Sequence, residues 1–367
     1  MVVVLLLVGL VFTGCIGGTT IPKGWSGGTM DGNNLYVGSM DGRLIAVNIV
    51  DGSRLWAVQL EMGATSGGGF GCAQGPTTVA IYGPPAVSDN LVYVGGYNGK
   101  VYAFVPGEDE PDRIYPPSDN RTGAIVGSLV TAPGRVYFAS ASGTVYALND
   151  RLQKQWTFFT KEKIWSTPAI AGDTVFIGTF GKKLYALNIA DGTKKWEFKA
   201  EGAIVATPVV DGNTVYIGSF DRNLYALDTA TGSLKWKSMA DNWFWAKPVV
   251  NNGVIYAASL DGKVYVLNAE TGNRVADPIN LGSPISSSPV LADNLVIVAT
   301  QEGVVFGIDT STNQKKWWSA IVKQEKQKIY AALTVSQGVV YIHTDKDILY
   351  ALNAQSGAKL WSISLKS

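Results

Sequence analysis

Apolar residues along this chain fall into short runs broken by turn-forming residues, and the runs recur in a fixed order. In "TVYIGSFDRNLYALDTATGSLKW", residues 214–236, a β-branched and aromatic run gives way to a polar break. A second apolar run follows, then a Gly-containing break, then a third run ending on tryptophan. Forty residues earlier the chain reads "TVFIGTFGKKLYALNIADGTKKW". Short runs of this composition predict strands, and the Gly, Asn and Asp between them supply the positive φ or side-chain hydrogen bonds that hairpin turns require. The runs are apolar on both faces, as strands sandwiched between two neighbouring sheets must be. No long stretch of period 3.6 interrupts them, so helices should be nearly absent.

The centre of the first apolar run and the start of the second form an anchor pair, Tyr216/Tyr225. The pair recurs as Tyr36/Ile45, Tyr93/Tyr102, Tyr137/Tyr146, Phe176/Tyr185, Tyr256/Tyr265, Ile297/Phe306 and Tyr341/Tyr350. Successive anchors lie 57, 44, 39, 40, 40, 41 and 44 residues apart. A period near forty with four strands per unit is that of a propeller blade. One four-stranded sheet cannot bury both faces, and a closed ring leaves no exposed end. The pattern therefore predicts an all-β chain folded as one eight-bladed β-propeller of four-stranded antiparallel blades over 27–367. The last repeat ends in "LWSISLKS" and so supplies its own fourth strand. A ring latched by residues 17–26 pairing with the last blade is equally compatible with the pattern.

Length alone points to two domains, and the repeat overrules it. Thirty basic against 29 acidic residues give a net charge of +1 without a dense basic run, which argues against a nucleic-acid partner. Residues 1–14, "MVVVLLLVGLVFTG", are apolar, with no charge before Lys23. The stretch is too short to span a bilayer and reads as a signal peptide. It ends in "VFTGC", which resembles a bacterial lipobox; the resemblance implies lipidation at Cys15 and makes residues 15–26 a lipid-anchored linker. Cys72 lies in the Gly-rich "GATSGGGFGCAQG" within an insertion over 61–82, and its two readings are a reactive thiol and a small buried hydrophobe.

The recurring "ALNxxxGxxxW" resembles the tryptophan-docking repeat of the PQQ-like β-propeller family, which includes quinoprotein dehydrogenases and non-enzymatic BamB-like lipoproteins of the cell envelope. Gly52, Gly192, Gly232 and Gly357 are each followed four positions on by Trp56, Trp196, Trp236 and Trp361. Trp156 and Trp317 hold the same place without the glycine, Ala276 follows Gly272, and the second repeat lacks the motif. These tryptophans should serve as structural belts between blades, each indole N–H reaching a backbone carbonyl. An enzyme of the family would hold PQQ and calcium beside a catalytic carboxylate, often with vicinal cysteines. Here the two cysteines are far apart, a haem motif is missing, and His343 is the sole histidine. The reading is of a protein that is not an enzyme, with no cofactor and no metal. The BamB-like resemblance implies a monomeric, lipid-anchored envelope scaffold that binds proteins, although the lead-ins "IWSTP", "IVATP", "WFWAKP" and "ISSSP" lack the paired acids of that family's partner loops.

In a propeller the loop leading into each blade and the hairpin between its second and third strands open on one face. That face should gather Trp165, Trp243, Phe244 and Trp245 from the lead-ins, with Phe180 and Phe220 from the hairpins. Tyr330 holds the corresponding lead-in place in the eighth repeat. Lys182, Lys183, Arg222 and Lys247 lie close in sequence. Such a mouth suits a protein partner, a small ligand or a glycan, and equally a plug of the axial channel.

Overall fold

The computed structural model describes residues 24–60, 79–117 and 120–366. The repeats form eight separate four-stranded antiparallel sheets, each paired in chain order. Blades 1 to 8 span 28–59, 86–115, 130–159, 169–199, 209–239, 249–280, 290–319 and 334–364. Their first strands touch one another around the ring, which sets them nearest the axis. Among the described residues the only helix is the single turn Ile321–Gln324.

Blade 5 shows how the sequence makes a sheet. Its second and third strands, Thr214–Gly218 and Asn223–Asp228, are buried almost throughout, as expected of strands covered on both faces. The outer strand Leu234–Met239 alternates instead, with Lys235 and Lys237 exposed around buried Trp236. The pairing register slips between Ala226 and Leu227, a bulge repeated at the same place in blades 1, 3, 4, 7 and 8. An extra residue there sharpens the strand's twist just before the tryptophan, which then faces the next blade.

At each intact joint the ring lies over a glycine of the following blade. Trp156 covers Gly192, Trp196 covers Gly232, Trp236 covers Gly272, Trp317 covers Gly357 and Trp361 covers Gly52. A Cβ at Gly272 would sit 2.5 Å from the indole carbons, and its φ of +72° is itself left-handed, so two independent constraints exclude a side chain. The indole N–H of Trp236 donates to Ala269 O at 3.1 Å, and that of Trp196 to Thr229 O at 3.0 Å. Those of Trp156, Trp317, Trp361 and Trp56 reach Ile189 O, Ala354 O, Ile49 O and Glu108 O.

Blade 6, with Ala276 in the ring position, has an outer strand of only two residues, Ile279–Asn280. The blade it faces carries Asn313 in place of glycine, and Asn313 Oδ1 accepts the Tyr256 hydroxyl at 2.6 Å. Ring and glycine are thus lost together.

Each blade is one continuous segment, and blade 8 is complete without the N-terminal strand. Side chains close the ring between blades 8 and 1. Thr334 Oγ1 donates to Gly28 O at 2.8 Å, and Met40 N–H donates to Asp347 Oδ1 at 3.1 Å. Buried His343 places Nδ1 2.8 Å from Ser26 O and Nε2 2.8 Å from Asp347 Oδ1. Elsewhere the His343 position is glycine or alanine. Gly38, Gly178 and Gly218 each press against Ile81, Ile204 or Phe244 of the next lead-in. Blade 1's lead-in, Gly24-Trp25-Ser26, has no such side chain to accommodate.

Two boundaries shift. Ser26 is fully buried and Trp25 packs on Tyr82, so residues 24–26 belong to the ring rather than to a linker. Val79, Ala80 and Ile81 are core residues of blade 2's lead-in, not insertion. Residues 1–14, Cys15 and Cys72 lie outside the described residues.

Candidate functional site: the aromatic rim

Backbone bonds stitch the lead-ins and hairpins into a rim on one face. The hairpin N–H of Phe180 donates to Lys163 O at 2.9 Å within its own blade, and Ile204 N–H of the next lead-in returns to Thr179 O at 2.9 Å. Phe220 and Ala203 repeat the first link, and Phe244 and Ser219 the second. The rim is therefore made of turns and lead-ins, tied by backbone hydrogen bonds to one another at the ends of the strands.

Five predicted surface residues meet in one arc across blades 4, 5 and 6. Trp165 and Phe180 are edge-on with centroids 4.9 Å apart, and Phe180 meets Phe220 at 6.5 Å. Phe220 stacks on both Trp243, at 4.5 Å and 10°, and Trp245, at 5.4 Å and 23°. All five are half-buried. Lys163, which sequence reasoning passed over, holds its ammonium 4.4 Å from the Trp165 ring centroid, a cation–π contact.

Phe244 is a correction. It is 2% exposed, packed under Gly218 and edge-on to Tyr265 in the joint between blades 5 and 6. Successive residues of an extended lead-in point to opposite sides, so Trp243 and Trp245 face out and Phe244 faces in. Tyr330 belongs to a second arc across blades 8, 1 and 2. Trp25 lies 5.8 Å from Tyr330 and 5.0 Å from Tyr82, which is 5.4 Å from Tyr97. Burial raises the Tyr82 hydroxyl's pKa, with Tyr97 adding to the effect.

The cations divide into two kinds. Lys183 pairs with Glu197 at 3.1 Å, and this partner, with the Tyr185 hydroxyl, raises its pKa. Lys182, Arg222 and Lys247 are exposed, and among the described residues none of them forms an ion pair. Lys247 sits beside the innermost strand Val249–Asn251. Water reaches it, yet the protein around it desolvates the ammonium and lowers its pKa. The rim's acids are largely committed. Asp221 accepts the Gly202 and Asn223 N–H groups and the Tyr225 hydroxyl at 3.0, 2.9 and 2.8 Å. Asp261 holds the Tyr265 hydroxyl at 2.7 Å, and Asp241 pairs with Lys263 at 2.6 Å.

A quinone–calcium site of the kind found in PQQ enzymes needs free converging carboxylates. All of the rim's acids but Glu201 are spent on turns, hydroxyls and lysines, and among the described residues no three His, Cys, Asp or Glu side chains come together. This donor set does not fit that group. No helix of the described residues is long and apolar enough to cross a membrane.

A family profile described as "Outer membrane protein assembly factor BamB" matches residues 23–115, 111–207, 196–275 and 277–367. Relatives of that name from Escherichia coli (strain K12) and Shigella dysenteriae serotype 1 (strain Sd197) are each 32% identical over 79 residues. That match spans 20% of this chain and 20% of each relative. Among solved structures, BamB from Moraxella catarrhalis superposes with a TM-score of 0.66 at 21% identity, covering 77% of this chain and 88% of that one. The computationally designed Ika8 protein superposes with a TM-score of 0.71 at 17% identity, covering 93% and 97%. Identities this low speak to fold alone, whereas the family profile runs along the whole propeller. The chain belongs to the BamB family of outer membrane protein assembly factors, on the PQQ-like β-propeller fold.

Proposed function

We propose that this chain is a non-enzymatic scaffold of the cell envelope, lipid-anchored through Cys15 and facing the extracytoplasmic side, that binds protein partners through the rim. The observation that carries this reading is the continuous arc Trp165–Phe180–Phe220–Trp243–Trp245, half-exposed and held by backbone-bonded loops. Stiff rings supply contact area at small entropic cost, and tryptophan is enriched at binding hot spots. Commitment of Asp221 and Asp261 to turn hydrogen bonds supports binding without chemistry. The relatives' name, outer membrane protein assembly factor, supports a role in the assembly of outer-membrane proteins. A second reading, a small-ligand or glycan receptor, is favoured by the Trp25–Tyr82–Tyr97–Tyr330 arc, whose phenols add polar handles to apolar faces.

The test is affinity capture from detergent-solubilised membranes with wild type and Trp243→Ala. The variant should keep its melting temperature and lose its partners by about 2 kcal/mol, a hot-spot value. Equal capture by both forms, or turnover and a thermal shift with PQQ and calcium, would overturn the reading.

A further inference from the structure

We infer that the blade 4–6 arc takes an acidic, aromatic- or leucine-bearing extended peptide segment of its partner. This inference rests on the rim being the binding surface and adds the chemistry of what it binds.

The first observation is charge. Around the stacked rings, Lys163, Lys182, Arg222 and Lys247 form no ion pair among the described residues, although the charge of Arg222 reaches Asp241, while Lys183 and Lys263 are paired. The acids of the same rim are largely occupied: Glu162 with the Thr179 hydroxyl, Asp221 and Asp261 with backbone and tyrosine groups, Asp241 with Lys263. Glu201 alone among them has no such pairing of its carboxylate, although its N–H is held by Asp221. The rim thus presents free positive charge over apolar rings, complementary to a segment that alternates carboxylates with apolar side chains.

The second observation is strain. The residue after each hairpin tip has positive φ, and blades 1, 2, 3, 6 and 7 use Gly42, Gly99, Gly143, Gly262 and Gly303 there. Blades 4 and 5, whose hairpins carry Phe180 and Phe220, place Lys182 at +70° and Arg222 at +74° instead. A long side chain in the left-handed region is disfavoured where glycine is not. The two cations therefore oppose local backbone preference, and they do so at the two hairpins that bear the arc's rings. Blade 8 is the remaining departure, and there Asp347 has an evident task in closing the ring.

The experiment uses three fluorescein-labelled twelve-residue peptides of one apolar pattern, with Phe and Leu alternating with Asp/Glu, Gln or Lys, read by anisotropy against the full chain. The acidic peptide should bind at least tenfold more tightly than the Gln peptide, and the Lys peptide should not bind. Lys182→Gly/Arg222→Gly should weaken acidic-peptide binding at least tenfold and leave the melting temperature unchanged or higher, because glycine suits that backbone. Raising NaCl from 50 to 300 mM should weaken wild type more than this variant. Equal binding of all three peptides, or an unaffected double variant, overturns the inference. So does a neutral oligosaccharide such as maltoheptaose that binds in their place and is lost in Trp243→Ala. If membrane capture depends on Trp243 but not on Lys182 and Arg222, the rim remains the binding surface and only the acidic segment falls. If nothing depends on Trp243, the rim reading itself falls.

Discussion

Removing one ring and the glycine beneath it measures the joint directly, and blades 5 and 6 offer the cleanest pair. Trp236 is 9% exposed, so Trp236→Ala empties a buried volume. The Tyr216 hydroxyl still donates to Ala269 O at 3.0 Å, so the carbonyl that loses the indole is not orphaned. The cost should therefore fall at the low end for a large ring, about 3 kcal/mol. Gly272→Ala pays twice. Left-handed backbone costs an alanine about 1 kcal/mol, and the new methyl, 2.5 Å from the indole, must push the ring off its site for about 2 kcal/mol more. With the ring already gone only the backbone cost remains. The double variant should lose about 4 kcal/mol where additivity gives about 6, a coupling of about 2 kcal/mol. Urea unfolding of the four proteins by far-UV circular dichroism, which does not depend on the deleted fluorophore, measures each term. Additivity within about 0.5 kcal/mol would refute an inter-blade contact between Trp236 and Gly272.

Other joints give further expectations. Ala276→Trp alone should destabilise, because Asn313 occupies the space, and Asn313→Gly alone should cost about 1 kcal/mol for the lost Tyr256 bond; combined, they should exceed the better single variant in urea midpoint. His343→Ala leaves Ser26 O and Asp347 buried with fewer partners and should cost about 3 kcal/mol, with enhanced amide exchange in blades 1 and 8; a loss below about 1 kcal/mol would remove His343 from ring closure. For Asp221, burial alone would raise the carboxyl's pKa, but the Asn223 N–H and Tyr225 hydroxyl outweigh it and hold the group below its ordinary value. A depressed carboxyl stabilises above the ordinary aspartate range and loses that contribution as pH falls through the folded value, so Asp221→Asn should flatten the acid limb of the stability curve. Cys15→Ser should abolish acyl labelling and membrane retention, and unchanged labelling would sink the anchor.

Much of this was legible before any coordinates. The nine-residue anchor pair locates the second and third strands of all eight blades, because β-branched and aromatic runs between turns admit little else. What a linear reading missed is the partner of each residue. Gly232 and Trp236 look like one motif because they share a repeat, yet each touches the neighbouring blade: Gly232 lies under Trp196, and Trp236 lies over Gly272. Phe244 departs from the rim because lead-in residues alternate in facing. Ile164, Ile204 and Ile285 stand at the same lead-in position, all buried, and that alternation alone assigns Phe244 to the joint. Tyr82 was missed although "IYGPP" shares its isoleucine–aromatic start and final proline with "IWSTP". The Gly-rich stretch before it carries no strand signal that would mark where the lead-in starts.

The departures from the repeat fall into two kinds, and the difference bears on function. At two joints they come in matched sets: Ala276 with Asn313 and its Tyr256 bond, His343 with Ser26 and Asp347. Each set restores a contact that its neighbour's change would have broken, as the economics of a buried surface require. On the rim the departures are unmatched. Lys182 and Arg222 replace glycine at positive φ, and Trp243 and Trp245 leave their faces half-exposed over Phe220, with nothing in the described residues to complete them. A joint that loses a partner within the chain must find another there. A surface whose missing partner lies in a second molecule is under no such constraint, and blades 4 to 6 have the composition of that surface.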